Sequence, residues 1–380
     1  MTATQVRAGL DGVVAAETRL SGVDGQVGEL VIAGFAVEEL APQATFEEVV
    51  YLLWHDALPN TDQLAEFRQD LVKARKLPQI TLELLKAAAA RKTSPMDALR
   101  MAADTLSLET TQGNSSASAA DATKLVAAFP TIIAAYWRLL KGESPIAPHP
   151  DLNHTANYLY MLTGEAPSAE QARALDTYLN TVVDHGLNAS TFAARVIIAT
   201  QSDLVSAIVG AVGALKGPLH GGAPGPAREM VFEIGQEENA EAYLREKLER
   251  GERLMGFGHR IYKVRDPRAD VLAQASQQLF RTNGDKALYA LALHVEKTAL
   301  RLLEEVKPGR HLQTNVEFYT ALLLHGLNLP TEMFTPTFAI GRVAGWIAHC
   351  FEQQRLNRII RPQSVYIGER DRQWIPTVAR

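Results

Sequence analysis

Apolar residues recur every three or four positions along almost the entire chain, a spacing that commits the backbone to helix and leaves little room for sheet. The pattern runs through residues 45–58, 61–75, 95–108, 120–140, 168–185, 189–201 and 203–215. It resumes over 226–235, 239–251, 267–282, 286–306, 316–325 and 338–354. End signals agree: Ser94 precedes Pro95 at a first helical position, and Ser168 is followed by Gln171 in a capping-box arrangement. Extended backbone is expected only near the ends. Residues 13–18 and 29–32, separated by a turn at 22–25, read as a small hairpin, and 358–367 as a C-terminal strand. Polar loops are expected at 110–119 and 141–153, and no internal repeat points to a solenoid. The fold class is all-α.

With 380 residues the chain can bury the core of one large helical domain and a smaller one. A net charge of -5 argues against a nucleic-acid binder. The most apolar windows, 129–140 and 204–215, are too short to span a bilayer and read as buried core helices. The first ten residues lack the basic start and apolar run of a secretory signal, so a cytoplasmic protein with no membrane partner is expected. The one cysteine, Cys350, excludes a disulfide framework or a thiolate zinc site within the chain. Its neighbours Ile347 and Phe351 predict a buried, inert thiol.

Four short stretches interrupt the helical pattern, each with a histidine or a carboxylate. The first is Asp184-His185-Gly186-Leu187-Asn188-Ala189-Ser190, between two helices. The second, Lys216-Gly217-Pro218-Leu219-His220-Gly221-Gly222, ends an apolar helix and presents a histidine beside glycines that let a ligand approach. The third is Gly256-Phe257-Gly258-His259-Arg260-Ile261-Tyr262-Lys263, leading to Asp266-Pro267-Arg268. The fourth, Asn315-Val316-Glu317-Phe318-Tyr319, opens a helix. Each has a plain reading: a histidine at a helix end is commonly a cap or solvated, and an acid in a first turn complements the helix dipole. Three histidines in loops, with arginines able to hold carboxylates, shift the balance toward chemistry.

In order and approximate spacing these stretches resemble the successive motifs of citrate synthases. Residues 12–35 resemble the start of that family, and Gly341-Arg342-Val343-Ala344-Gly345-Trp346-Ile347-Ala348-His349 with Arg361-Pro362 resembles its end. The resemblance implies an acyltransferase that condenses acetyl-CoA with oxaloacetate and water to give citrate and CoA. Glu317 is then the base that takes a proton from the acetyl methyl carbon, and His220 the donor to the enolate oxygen. His259 polarises and protonates the ketone oxygen. The acidity gap is severe, each pKa unit costing about 1.36 kcal/mol, so the carboxylate needs preorganised donors. His185, Arg268, Arg342 and Arg361 bind oxaloacetate, the guanidinium fork suiting its carboxylates. Arg361 comes from the neighbouring subunit in the family, which implies a homodimer.

For CoA the implied contacts are Met255, Gly256, Phe257, Gly258, Arg260, Lys263 and Asn315. Between 251 and 268 five basic residues (Arg253, Arg260, Lys263, Arg265, Arg268) face two acids (Glu252, Asp266), a local excess suited to a phosphorylated nucleotide. No metal and no permanently bound cofactor are expected; acyl-CoA is a co-substrate. Two positions depart from the family pattern. Glu317 stands where aspartate is usual, and Pro224 follows Ala223 where the family has Asn.

The implied architecture is a large helical domain, 1–221 with 326–380, carrying the dimer interface, and a small CoA-binding domain, 222–325, that closes to exclude water. Gly210 and Gly213, with Ala207 and Ala211, give one helix a small-residue face for close packing. Three alternatives remain: 2-methylcitrate synthase using propionyl-CoA, a two-His-one-carboxylate metal site, and a catalytically silent CoA- and dicarboxylate-binding homologue.

Overall fold

The computed structural model describes residues 7–10, 12–109, 118–221, 224–259, 261–282, 286–374 and 376–377. Their α-helices are α1 (Val37–Gln43), α2 (Phe46–His55), α3 (Thr61–Ala74), α4 (Gln79–Ala90), α5 (Pro95–Asp104), α6 (Ala119–Leu140), α7 (His154–Thr163) and α8 (Ala169–Val182). There follow α9 (Ala189–Ile198), α10 (Leu204–Leu215), α11 (Pro224–Ile234), α12 (Ala240–Glu249), α13 (Pro267–Thr282), α14 (Lys286–Val306), α15 (Val316–Gly326) and α16 (Phe334–Leu356). The all-α reading holds. Among the described residues, no helix is long and apolar enough to cross a membrane. Most of the 110–119 loop lies outside the described residues.

Local chemistry explains where helices begin. Thr45, Asn60 and Ser168 each close a capping box with the residue three positions on, satisfying amide groups that a first helical turn leaves open. Tertiary packing decides how they sit. The central helix α16 is buried along most of its length and lies against α2, α6, α8, α9 and α10. Two glycines let it press on α8. A Cβ on Gly345 would sit 2.2 Å from the Val183 carbonyl oxygen, and one on Gly341 2.9 Å from that of Leu179. This contact of backbones places Arg342 and His349 beside the end of α8. The small-residue face of α10 meets α9, where Gly210 leaves room for Ile197.

Two extended segments differ from expectation. Residues 13–18 form no strand. The hairpin pairs β1 (Ser21–Asp24) with β2 (Glu29–Ile32), and β3 (Phe35–Ala36) completes an antiparallel sheet. Gly22, read as turn, lies inside β1. The actual turn starts at Asp24, whose carboxylate accepts the Gln26 N–H at 2.8 Å and whose carbonyl accepts that of Gly28 at 3.0 Å. Residues 358–367 are not a strand either. Pro362 lacks a ladder donor, no strand among the described residues pairs with the segment, and it is exposed almost throughout.

Candidate active site

The first two motif loops meet on one hydroxyl. α8 stops at Val182, and the chain turns through Asp184, His185 and Gly186, whose φ of +60° favours glycine. Asn188 caps α9 by accepting the Thr191 N–H at 3.1 Å, which puts Ser190 in the first turn. After α10, a turn closed by the His220 N–H on the Gly217 carbonyl (2.9 Å) brings His220 Nε2 to 2.8 Å from Ser190 Oγ. Trp346 donates its indole N–H to the same oxygen at 3.0 Å, and Asn188 Oδ1 lies 2.8 Å away. Ser190 has one proton to give, so its direction decides which nitrogen of a neutral His220 carries hydrogen.

The third and fourth loops are bound into one frame. Gly258 N–H donates to the Gln313 carbonyl (2.7 Å) and Asn315 N–H to that of Gly256 (2.9 Å). The Asn315 side chain donates to the Gly258 carbonyl at 2.7 Å and accepts the Glu317 N–H at 3.0 Å, capping α15. Gly256, at φ +89°, passes so close to Phe318 that a Cβ would lie 2.9 Å from its Cβ. Asp266 adds a second tie. Its oxygens hold Arg268 at 2.8 and 3.0 Å and accept the Val316 N–H at 3.2 Å. The arginine and the first turn of α15 therefore share one buried carboxylate.

Hydrogen bonding fixes the state of His259. Its Nδ1 accepts the backbone N–H groups of Ile261 and Tyr262, both at 3.1 Å, so the proton of the neutral ring is on Nε2. That Nε2 lies 3.4 Å from Arg268 Nη2. Two donors so placed are complementary to a shared oxygen acceptor. His185 Nε2 is 3.1 Å from the Tyr262 hydroxyl, and the His185 and His259 rings are 6.0 Å apart. Arg342 donates Nε–H to the Val182 carbonyl at 2.5 Å and stacks 4.5 Å over Phe338.

The charges act on one another. Burial pushes the Glu317 carboxyl up to about 7, with Arg268 and Arg342 opposing and Asp266 reinforcing. His220 is lowered to about 4 by burial and by Arg342, and His259 to about 4 by burial and by Arg268. His185 falls well below its ordinary value from burial, then from Arg268, Arg342 and His259. Arg342 itself drops to about 10, chiefly from burial. Glu317 and His185 thus feel both guanidinium groups, His220 feels Arg342, and His259 feels Arg268.

Other expected residues fall differently. Arg361 is exposed on the C-terminal segment and does not join the cluster. Arg260 and residues 222–223, including the expected domain boundary, lie outside the described residues. Met255, Gly256, Phe257, Gly258 and Asn315 line the His259 loop; Lys263 is exposed at its end. The basic excess there is smaller than the sequence suggests. Arg265 is paired with Asp270 (2.5 Å) and Glu296 (2.9 Å), and Arg268 with Asp266. Among the described residues no group of three metal-ligating side chains is assembled. Sequence reasoning overlooked Ser190, Tyr262, Asp266 and Trp346 as individuals, although each lies within or beside a motif.

The family model described as citrate synthase, C-terminal domain, matches residues 9–363. Citrate synthase 2 of Bacillus subtilis (strain 168) is 42% identical over 383 residues, covering 100% of both chains. A 2-methylcitrate synthase of Shewanella oneidensis is 40% identical over 98% of each chain. The structure of the citrate synthase of Thermoplasma acidophilum, in ternary complex with carboxymethyl coenzyme A and oxaloacetate, superposes with a TM-score of 0.87. It is 28% identical and covers 98% of this chain and 99% of that one.

Proposed function

The chain belongs to the citrate synthase family, and from that premise we propose that it condenses acetyl-CoA with oxaloacetate and water, giving citrate and CoA. The observation that carries the assignment of roles is the shared frame: Asn315 and Asp266 lock the loop of His259 and Arg268 onto the first turn of α15, where Glu317 stands. Oxaloacetate binds between Arg268 and Arg342, with His185 and the His259 Nε2–H on its ketone side. A second copy of the chain brings its own Arg361 to the second carboxylate, making the enzyme a homodimer.

Glu317 removes a proton from the methyl carbon of acetyl-CoA. Its raised pKa makes it a stronger base than an ordinary carboxylate while leaving it ionised above about 7. The enolate oxygen takes a hydrogen bond from His220. In that role Ser190 turns its proton from Asn188 Oδ1 to Nε2, leaving Nδ1–H to donate. The carbon attacks the ketone, whose oxygen receives the His259 proton, and water then hydrolyses the citryl thioester. CoA lies along the backbone turns at Gly256 and Gly258, with Lys263 at the phosphate end. Residues 222–325 form the small domain, which closes to exclude water during condensation. No cofactor is bound permanently, and the enzyme works in the cytoplasm.

A second reading, 2-methylcitrate synthesis from propionyl-CoA, is supported by the Shewanella relative. One methylene in an apolar pocket is worth only about 1–3 kcal/mol, so the two activities overlap. A thiol-release assay with oxaloacetate against acetyl-, propionyl- and butyryl-CoA tests both. The highest kcat/KM with acetyl-CoA supports the first reading and with propionyl-CoA the second. No thiol release with any of them overturns both.

A further inference from the structure

We propose that Ser21 is a positioning residue for His185, and that the N-terminal hairpin sets where His185 and Tyr262 meet. The proposal rests on the reading of His185 as an oxaloacetate ligand. The hairpin segment's backbone and one hydroxyl hold both loops that carry these groups.

Ser21 Oγ makes two hydrogen bonds. It donates to Asp184 Oδ2 at 2.5 Å and accepts the Gly186 N–H at 2.8 Å. Residue 185 lies between those two partners, so a single hydroxyl grips the carboxylate of the residue before His185 and the backbone N–H of the residue after it. The far side of Asp184 is also fixed. His349 Nδ1 faces an N–H donor, Arg195 Nη1, at 2.9 Å, which leaves the His349 proton on Nε2, 3.2 Å from both Asp184 oxygens. Asp184 is fully buried and held from two elements.

The first residue beyond β1 grips the second loop. The Gly25 carbonyl accepts the Lys263 N–H at 2.7 Å, one residue beyond Tyr262. A Cβ at Gly25 would sit 2.3 Å from the Ile261 carbonyl oxygen, so the strand and the loop touch backbone to backbone. Strand backbone rises about 3.3 Å per residue, which makes β1 from Ser21 to Asp24 a stiff spacer of about 10 Å, with Gly25 the next residue beyond it. Between the two loops so held, His185 Nε2 and the Tyr262 hydroxyl stand 3.1 Å apart. A bond whose two sides are pinned to one strand has its length set by that strand. The same loop carries His259 and Arg268.

The test compares steady-state kinetics of the full-length parent with Ser21→Ala, Ser21→Thr, Gly25→Ala and His185→Asn, alongside urea unfolding of each. Ser21→Ala should raise KM for oxaloacetate about tenfold while KM for acetyl-CoA changes less than about twofold, since displacement of a binding group by a fraction of an ångström is costly. Ser21→Thr, which keeps the hydroxyl, should restore most of the loss, and Gly25→Ala should reproduce it from the opposite end. In ligand-free protein the His185 imidazole resonances should shift in Ser21→Ala. If His185→Asn raises KM for oxaloacetate and Ser21→Ala does not, the positioning role is wrong and the His185 reading stands. If His185→Asn leaves KM unchanged, the reading beneath the proposal fails and the proposal with it. Equal losses in Ser21→Ala and Ser21→Thr, with matching drops in urea midpoint, would reduce Ser21 to a structural contact and also overturn the proposal.

Discussion

Replacing Glu317 by Gln should make the protein more stable in mild alkali while removing its capacity as a base. The reasoning is linkage. A carboxyl whose folded-state value is about 7 against an ordinary 4.5 holds its proton more firmly in the folded chain than in the unfolded one. Below pH 4.5 both states are protonated, and Glu and Gln cost the same. Between 4.5 and 7 the unfolded chain loses the proton first, so stability falls as pH rises; above 7 the penalty is constant. The distance from 4.5 to about 7, at about 1.36 kcal/mol for each pH unit, is on the order of 3 kcal/mol. Solvent reaching this partly accessible side chain trims that toward about 2 kcal/mol. Urea unfolding of parent and Glu317→Gln at pH 4.5, 6 and 8 measures it. The two curves should coincide at pH 4.5 and separate by about 2 kcal/mol at pH 8, while kcat falls by roughly a hundredfold or more. A Gln variant that is less stable at pH 8 would mean that Arg268 and Arg342 overcome burial and hold Glu317 ionised. Glu317 would then be no stronger a base than an ordinary carboxylate.

Three further outcomes are expected. The acid limb of kcat/KM against pH should bend near 7, where Glu317 titrates, with no bend near 4 attributable to His220 or His259, because activity is already lost there; a single bend below pH 5 would contradict this. Gly256→Ala should cost on the order of 1–3 kcal/mol in urea unfolding, since it combines positive φ with a 2.9 Å approach to Phe318. Gly309→Ala, with similar φ and nothing within 4 Å, should cost only about 1 kcal/mol, and equal losses would remove packing from the account. Condensation should survive excess EDTA undiminished, because its steps are assigned to a carboxylate and imidazoles; loss restored by added divalent ion would reinstate the metal reading.

Much of this was legible in the sequence, and the exceptions have identifiable causes. Periodicity located α13 and α14 to the residue and most other helices within a turn or so, because each buries one apolar stripe. It missed α4, where a run of four alanines dilutes the stripe, and α1, which has Pro42 inside a helix of seven residues. It also missed α7, buried nearly all round and starting at the buried His154, which leaves no stripe to read. Gly22 was read as a turn because glycine in a strand looks the same in sequence; only the pairing of Gly22 with Val31 distinguishes them. In the candidate site, residue types point to His185, His220, His259, Arg268 and Glu317. Ser21 had no such signal: its partners lie 163 and 165 positions away, and nothing local marks them. The basic excess near residue 260 misled because pairing of Arg265 with Glu296 of α14 is a tertiary fact.

The two buried arginines differ in a way that bears on how such a site works. Arg268 has a carboxylate in contact, Asp266, and its charge is largely answered within the protein. Among the described residues Arg342 contacts a backbone carbonyl and an aromatic face rather than a carboxylate, and of the two it is the guanidinium whose pKa burial lowers, against the charge of Asp184. On the proposed reading, a dicarboxylate seated between them supplies the contacting counter-charge that Arg342 does not have from the described residues, so part of its binding energy is relief of a charge already desolvated. The same two negative charges cancel the fields that pull Glu317 down and push His185, His220 and His259 down. Glu317 becomes a stronger base and His259 a group better able to accept back the proton it gives. On the proposed roles, binding of the keto acid and strengthening of the base are electrostatically coupled through Arg268 and Arg342, in addition to the domain closure proposed above.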